Sequence, residues 1–332
     1  MTSNGLSGLY NLGNTCYMNS FLQVLSHTYD LKKIIKSKFK KPKGIIKEWL
    51  ELDELMWSKD CVIQPNKFLR EVQKIAANRN LDSFCGFEQN DVTEFMMFIF
   101  DEFHKSCKIS VDMNIKGNVE NECDKIAYKC YQSFVNQYKS DYSIIIKLFY
   151  SLQITYNKRL SDDKTISTCC DSNFILNIPL QDNKCQSLND CIDLYLKDNL
   201  LIGENGLNDE KTGAKCDIIQ KTIFWDLPEI LIIGLKRFTY DGKRKNSSNI
   251  RFPLENFDMN KYVYNYKKNT YIYDLYAVCN HTGRLEGGHY TSYVKVLNGE
   301  WYHFNDTSIS KIKNVESIIS PKAYCLFYKK KY

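Results

Sequence analysis

Apolar residues follow a helical period in the first third of the chain. The period is clearest over residues 91–104, where one face of the predicted helix is apolar. Asp91, followed three residues later by Glu94, resembles the capping box that opens a helix. A second helix is predicted over residues 16–26, directly after a Gly-Asn-Thr turn. The apolar face of the first helix consists of Val92, Phe95, Met96, Ile99 and Phe103.

The rest of the chain has mainly the pattern of β-strands. Residues 230–235 carry no polar side chain, which is typical of a strand buried on both faces. Asn298-Gly299 separates the last two predicted strands and is a strong hairpin signal. Helices first and strands later predict an α+β protein. The predicted strands cover residues 174–178, 222–227, 230–235, 271–278, 290–297 and 301–304.

Composition and charge exclude several classes of protein. The 332 residues carry a net charge of only +6, with Lys and Arg spread along the chain, so no nucleic-acid partner is expected. The longest apolar run, 230–235, is too short to span a bilayer, so no membrane partner is expected. The first residues lack the pattern of a secretory leader, and the 13 cysteines lack the spacing of a small disulfide scaffold. These features predict a cytosolic or nuclear protein with free thiols.

Three residues have the chemistry and the positions that a thiol protease needs. Cys16 begins the predicted helix 16–26, where unpaired amides and the helix dipole favour a thiolate. His289 starts a predicted strand and is one of only five histidines, so it is a candidate base. Asn11, in the loop before Cys16, is a candidate donor to an oxyanion. Position alone does not separate Cys16 from the other members of a set of 13 cysteines.

A group that orients the base should lie near the far end of the predicted hairpin. Asn305 and Asp306 both qualify. A two-residue turn would place Asp306 opposite Thr291, on the face of His289. A three-residue turn with a bulge at Gly299 would place Asn305 opposite Thr291 instead. The spacing leaves both turns open.

Several segments of the chain resemble the motifs of the ubiquitin-specific proteases, in the order that the family has them. Residues 8–20, GLYNLGNTCYMNS, look like the family's cysteine box. Residues 287–293, GGHYTSY, followed by WYHFND at 301–306, look like its histidine box. The resemblance extends from about residue 7 to residue 328. The other similar segments are QNDVTEF at 89–95, LPEIL at 227–231, LKRF at 235–238, IRFPL at 250–254 and AYCLFY at 323–328.

The resemblance implies a role for each candidate catalytic residue. Cys16 matches the nucleophile and His289 matches the base. Asn305 matches the third member of the triad, which favours the three-residue turn. Asp306 matches a position that can assist, and Asn11 matches the oxyanion donor.

The resemblance also implies residues that bind the substrate. Gln89 and Asp91 match positions that contact the C-terminal tail of ubiquitin in relatives. Gly287 and Gly288 would leave room for the Gly-Gly pair that closes this tail. Tyr290, the residue after the base, is expected to belong to the same group.

By this resemblance the fold is expected to be papain-like, α+β, with a helical thumb, a β-rich palm and β fingers. One catalytic domain would cover residues 1–332, with the thumb at about 1–140, the fingers at about 145–235 and the palm at about 236–332. The expected activity is that of a thiol-dependent deubiquitinase without a cofactor, a monomer whose partners are ubiquitin and ubiquitinated proteins. Two alternatives stay open: an inactive ubiquitin-binding scaffold, and a protease for another ubiquitin-like modifier.

The chain departs from the family in its expected fingers. Many relatives bind structural zinc there through two Cys-x-x-Cys pairs. Residues 154–160, where the first pair would lie, hold no cysteine, and the second region holds only Cys216. Cys169 and Cys170 are adjacent, which is poor spacing for a chelate. No metal site is therefore expected.

Overall fold

Helices occupy most of the first half of the chain, and strands dominate the second half. The computed structural model describes residues 5–39, 42–181, 185–209, 213–239, 242–267, 270–284 and 287–332. The helices are α1 Cys16–Ser26, α2 Tyr29–Lys38, α3 Gly44–Ser58, α4 Asn66–Asn78, α5 Val92–Cys107, α6 Glu122–Tyr138, α7 Ile144–Phe149 and α8 Leu188–Tyr195. The strands are β1 Gly8–Leu9, β2 Val62–Ile63, β3 Ser151–Arg159, β4 Thr165–Asn173, β5 Ile175–Pro179, β6 Asn199–Leu201, β7 Leu207–Asn208, β8 Lys215–Cys216, β9 Ile218–Asp226, β10 Ile230–Lys236, β11 Phe257–Asp258, β12 Ile272–Arg284, β13 Gly287–Lys295, β14 Trp301–Asn305, β15 Ser308–Lys311 and β16 Ala323–Lys330.

The largest sheet has the strand order β15-β14-β13-β12-β16-β10-β5, and β11 pairs with the outer part of β12. β5 runs parallel to β10, and the other pairs are antiparallel. Both faces of the central strands are covered. In β10, Ile230 and Ile232 pack in the core shared with the helices, whereas Leu231 and Ile233 pack in a second core with α8. The prediction that residues 230–235 form a strand buried on both faces is confirmed.

A second sheet, with the order β4-β3-β9-β6, extends from the larger one. We call it the four-stranded sheet. α6 packs on one face of it through a small apolar cluster that includes Ala127, Cys130, Ile154 and Trp225. This sheet corresponds to the segment for which fingers were expected.

α1 is the helix that fixes the position of the candidate nucleophile. Every residue of α1 is buried, including the polar residues Asn19, Ser20, Gln23 and Ser26. The helix lies between α5 and the strands β12, β13 and β14. Its first residue therefore meets the large sheet where helices and strands join.

The predicted elements agree with the structure in type and in approximate extent. α1 has the predicted bounds, and α5 begins after Asp91, whose side chain caps the helix by accepting from the amides of Thr93 and Glu94. The reciprocal bond from Glu94 that would complete a capping box is not recorded. Among the described residues, no helix combines the length and the apolar character needed to cross a membrane.

Candidate active site

The sulfur of Cys16 lies at the junction of helix α1, strand β13 and the segment before α5. Cys16 is the first residue of α1 and is only 2% exposed. Its Sγ accepts from the backbone amide of Tyr290 at 3.5 Å and from Nε2 of Gln89 at 3.4 Å. Since Tyr290 directly follows His289, the candidate base is the neighbour in sequence of the residue whose amide contacts the sulfur.

His289 and Asn305 lie on neighbouring strands and share a hydrogen bond. Nε2 of His289 and Oδ1 of Asn305 are 2.7 Å apart, and because the oxygen accepts, Nε2 carries the proton. Nδ1 is then the ring nitrogen left to exchange a proton with Cys16. Asn305 thus holds the imidazole in one tautomer and one orientation.

The strand register decides between the two turns that the sequence left open. Ser292 pairs with Phe304 and Lys295 pairs with Trp301, so the loop between β13 and β14 closes at Val296 and Glu300. This is the three-residue turn, with Gly299 at a φ of 84°, a conformation that glycine adopts without strain. Asn305 therefore shares the face of His289, and Asp306 does not.

Asp306 has a different task, at the tip of the hairpin between β14 and β15. Its backbone oxygen accepts from the amide of Leu9 at 2.9 Å. Its carboxylate accepts from Nδ2 of Asn11 at 3.1 Å and from Nδ2 of Asn19 at 2.8 Å. Asp306 therefore ties together the chain before Cys16 and the helix after it, without a recorded contact to His289.

Asn11 is held at both ends of its side-chain amide. Its Nδ2 donates to Asp306, and its Oδ1 accepts from the backbone amide of Thr15 at 2.9 Å. The Thr15 hydroxyl in turn accepts from the amide of Leu12 at 2.8 Å. These bonds fix the loop that leads into Cys16, and they leave one N–H of Asn11 for another acceptor.

Asp91 joins the helical part of the chain to the large sheet. One carboxylate oxygen caps α5, and the other accepts from the hydroxyl groups of Tyr290 at 3.0 Å and Tyr324 at 2.8 Å. Burial is the main cause that raises the pKa of both tyrosines, so they remain donors. The side chain of Tyr290 is buried, so any contact of this residue with a substrate would come from its backbone.

His281 is a buried histidine on strand β12, where it pairs with Tyr290 of β13. Its Nδ1 lies 3.0 Å from Nζ of Lys245, which also donates to the His281 backbone oxygen at 2.7 Å. Burial, followed by the charge of Lys245, lowers the pKa of His281 to about 4, and burial lowers the pKa of Lys245 to about 8. His281 is therefore neutral near pH 7, and it packs against the ring of Tyr290 at a centroid distance of 4.6 Å.

The two glycines before His289 have different surroundings. A Cβ atom added to Gly288 would lie 2.0 Å from Nε2 of His281, so the buried ring requires glycine there. A Cβ added to Gly287 would meet nothing within 4 Å. Packing inside the protein thus requires glycine at position 288 but not at position 287.

Among the described residues, no group of three His, Cys, Asp or Glu side chains is placed to hold a metal ion.

Comparison with known proteins gives the family. The family described as "Ubiquitin carboxyl-terminal hydrolase" matches residues 7–328, nearly the whole chain. The chain belongs to the ubiquitin carboxyl-terminal hydrolase family.

Relatives within the ubiquitin carboxyl-terminal hydrolase family include cellular and viral proteins. Ubiquitin carboxyl-terminal hydrolase 2 of Bos taurus is 31% identical over 347 residues, which cover 98% of this chain and 55% of the relative. The chain therefore spans about half the length of that relative. The probable ubiquitin carboxyl-terminal hydrolase R319 of Acanthamoeba polyphaga mimivirus is 25% identical over 434 residues, covering 98% of this chain and 90% of the relative.

Solved structures of the same family share the fold. The SAGA DUB module with Ubp8, Sgf11, Sus1 and Sgf73, bound to monoubiquitin, matches with a TM-score of 0.75 at 23% identity, over 100% of this chain and 71% of that chain. The module bound to ubiquitin aldehyde matches with a TM-score of 0.72 at 23% identity, over 99% of this chain and 70% of that chain. The predicted α+β fold class of the ubiquitin-specific proteases is confirmed, while the boundaries of thumb, fingers and palm stay predictions.

Two residues of the site were not predicted from the sequence. Asn19 anchors Asp306, and Tyr324 anchors Asp91. A signal for Asn19 existed, because it is a polar residue in a helix that is otherwise apolar near its start. Tyr324 gave no comparable signal, since an aromatic residue in a strand is ordinary.

Proposed function

We propose that this chain is a thiol-dependent deubiquitinase that hydrolyses the isopeptide or peptide bond after the C-terminal Gly of ubiquitin. One observation supports it most. Asn305 orients His289, and the backbone amide of the next residue, Tyr290, contacts the sulfur of Cys16. Nucleophilic catalysis by a thiol requires an oriented base of this kind. The substrate, ubiquitin, is inferred from the names of the relatives in the family.

The reaction begins with transfer of the Cys16 proton to Nδ1 of His289. The thiolate then attacks the carbonyl carbon of the C-terminal Gly, and the carbonyl oxygen gains the negative charge. His289 returns its proton to the departing amine as the C–N bond breaks, which leaves a thioester on Cys16. A water molecule, deprotonated by His289, hydrolyses the thioester and restores the thiol.

Amide donors surround the position where the oxyanion forms. Asn11 offers the N–H that Asp306 leaves unused, and the backbone amide of Cys16 at the start of α1 is a second donor. Gln89, expected from the family resemblance to contact the ubiquitin tail, also places its amide on the sulfur at 3.4 Å. Its N–H can donate first to the thiolate and then to the oxyanion as the bond between sulfur and the carbonyl carbon forms.

Ubiquitin carrying a C-terminal vinyl sulfone tests the proposal. The protein should gain the mass of one ubiquitin, and the modified residue should be Cys16 by peptide mass spectrometry. Cys16→Ala should give no adduct, because the variant lacks the sulfur that attacks the probe. Adducts that persist in Cys16→Ala, or no adduct with the unaltered protein, would contradict the assignment.

Matched probes separate the two alternatives. The same electrophile on other ubiquitin-like modifiers should react slowly or not at all. A preference for one of them would change the substrate and keep the chemistry. Tight ubiquitin binding without an adduct and without cleavage of any chain would identify an inactive scaffold.

Gly288→Ala should lower kcat/KM roughly 10–10²-fold for ubiquitin carrying a C-terminal fluorophore, because the new Cβ displaces His281 or the strand that bears His289. Gly287→Ala serves for comparison: its Cβ meets nothing within the protein, so any loss in this variant comes from the room that Gly287 leaves for the ubiquitin tail and should appear as a higher KM. Circular dichroism should show that both variants fold. Equal activity of Gly288→Ala and the unaltered protein would mean that the buried ring moves aside freely.

We also propose that the chain acts as a monomer in the cytosol or nucleus, on ubiquitinated proteins. The spacing of the 13 cysteines, which is not that of a small disulfide scaffold, supports the reducing compartment. Light scattering coupled to size-exclusion chromatography checks the oligomeric state, and a fluorescent fusion checks the location.

A further inference from the structure

Helix α6 lies along strand β4 of the four-stranded sheet, held by a series of contacts. Nζ of Lys129 donates to the hydroxyl of Thr168 at 3.2 Å. One turn further along, the hydroxyl of Ser133 donates to the backbone oxygen of Cys170 at 3.4 Å. Near the end of the helix, Tyr138 bonds to Ser172. The helix and the strand are thus fixed side by side over this stretch.

Two cysteines face each other between the first two of these contacts. Cys130 follows Lys129 on α6, and Cys170 is the residue on β4 that Ser133 contacts. Both are free thiols, and both pack in the apolar cluster under α6. Each lies close enough to the other to shift the pKa of its thiol. Because the contacts on either side hold the helix against the strand, the two side chains stay together in the reduced protein.

The pair differs from the other facing cysteines in its access to solvent. Cys130 is 0% exposed, but Cys170 is half-buried. A groove of about 600 Å³ opens beside the pair, and Lys129 and Thr168 are among the residues that line it. Cys279 and Cys325, which face each other across β12 and β16, are both fully buried. A small oxidant can therefore reach Cys170 more readily than it can reach the pair in the large sheet.

We propose that Cys130 and Cys170 are a redox-sensitive pair, in which hydrogen peroxide forms a disulfide that fastens helix α6 to the four-stranded sheet. The site is separate from Cys16 and does not depend on the proposed protease activity. It occupies the part of the chain where the family resemblance implied zinc ligands and the sequence supplied none.

The chemistry assigns one role to each thiol. Interaction with Cys130 is the main cause that lowers the pKa of Cys170, and the same interaction raises the pKa of Cys130. Cys170 is also the member of the pair that solvent reaches, so it is the thiol that ionises and reacts first. Its thiolate attacks one oxygen of peroxide, an S–O bond forms, the O–O bond breaks and hydroxide leaves, giving a sulfenic acid.

Cys130 then resolves the sulfenic acid. Its thiol gives up its proton as its sulfur attacks the Cys170 sulfur, so that the S–S bond forms, the S–O bond breaks and hydroxide leaves. The two sulfurs together lose two electrons, and peroxide takes up both. With the two protons, the products are one disulfide and two water molecules.

Differential alkylation tests the pair in the folded, full-length chain. The protein is treated with a few equivalents of hydrogen peroxide, blocked with one alkylating reagent, reduced and labelled with a second. Mass spectrometry without reduction should find the Cys130–Cys170 cross-linked peptide. The melting temperature should rise by about 5 °C and fall again with dithiothreitol, because the bond closes a long loop.

Two variants serve as controls. Cys130→Ser should abolish both the cross-link and the rise in melting temperature. Cys169→Ser, which removes the exposed neighbour of Cys170, should keep both. The proposal is overturned if Cys130 stays fully reduced while Cys170 advances to the sulfinic acid, or if peroxide links Cys169 instead.

Discussion

Asn305→Ala is expected to lower kcat by about 10²–10³-fold and to slow alkylation of Cys16, whereas Asp306→Ala should lower kcat by a similar factor without slowing alkylation. The two residues are adjacent, and the sequence alone made them alternatives for one role. The structure gives them separate partners, so their variants should fail in different steps. Both predictions rest on the proposed protease mechanism.

The Asn305 variant should fail in forming the thiolate. Without Oδ1 of Asn305, Nε2 of His289 has no hydrogen-bond partner among the described residues, so the exposed imidazole can rotate and change tautomer. Proton transfer from Cys16 then becomes slow whatever the electrophile. Asn305→Asp keeps an acceptor at 2.7 Å from the ring and should retain activity within about tenfold.

The Asp306 variant should fail in stabilising the oxyanion. Loss of the carboxylate releases Nδ2 of Asn11, whereas Nδ2 of Asn19 keeps its bond to the backbone oxygen of Tyr10 at 3.1 Å. The loop before Cys16 therefore loses the bond that positions Asn11. Removing one oxyanion donor typically lowers kcat by about 10²–10³-fold. Alkylation by iodoacetamide is a displacement at carbon and develops no oxyanion, so it should continue at the normal rate.

Mass spectrometry of the Cys16 peptide measures its alkylation separately from that of the exposed Cys85 and Cys169. Steady-state hydrolysis of ubiquitin carrying a C-terminal fluorophore supplies kcat. If both variants slow alkylation equally, Asp306 also acts through His289. If neither lowers kcat, the hydrogen bond between His289 and Asn305 has no part in the reaction.

The sequence predicted those features that depend on local pattern. The bounds of α1 and the start of α5 were predicted correctly, because a turn precedes Cys16 and an N-cap residue stands at Asp91. The buried strand at 230–235 followed from its uninterrupted apolar residues. Each of these features is encoded within a dozen neighbouring residues.

Features that depend on distant packing could not be predicted from the residues alone. The choice between Asn305 and Asp306 was a choice of hairpin register, and a one-residue shift moves every side chain to the other face. The part that Asp306 plays arises because the hairpin tip lies against β1, almost 300 residues away in sequence. The meeting of Cys130 and Cys170 in one cluster likewise requires α6 to lie along β4, and neither cysteine has a motif.

Asp53→Ala is expected to lower the free energy of unfolding by about 3–5 kcal/mol, the largest loss of stability that we predict. Asp53 is 0% exposed and connects the first three helices. Its carboxylate accepts from the Ser26 hydroxyl at 2.8 Å and pairs with Nζ of Lys32 at 2.8 Å. The variant leaves Lys32, which also lies 4.0 Å from the ring centre of Trp57, as a largely buried charge without its carboxylate partner.

Urea denaturation, followed by fluorescence, measures the loss. Glu54→Ala is the matched control, because Glu54 is 70% exposed and lies 3.8 Å from Lys36, so its removal should change stability by less than about 0.5 kcal/mol. The double variant Asp53→Leu with Lys32→Met should be more stable than Asp53→Ala alone, because it removes the unpaired charge and refills the space. Equal stability of these two variants would show that neither the unpaired charge nor the empty space causes the loss, which would then come from the lost hydrogen bond with Ser26. A decrease of less than about 1 kcal/mol in the free energy of unfolding of Asp53→Ala would show that water replaces the carboxylate. The start of α1, where Cys16 lies, would then not depend on this ion pair.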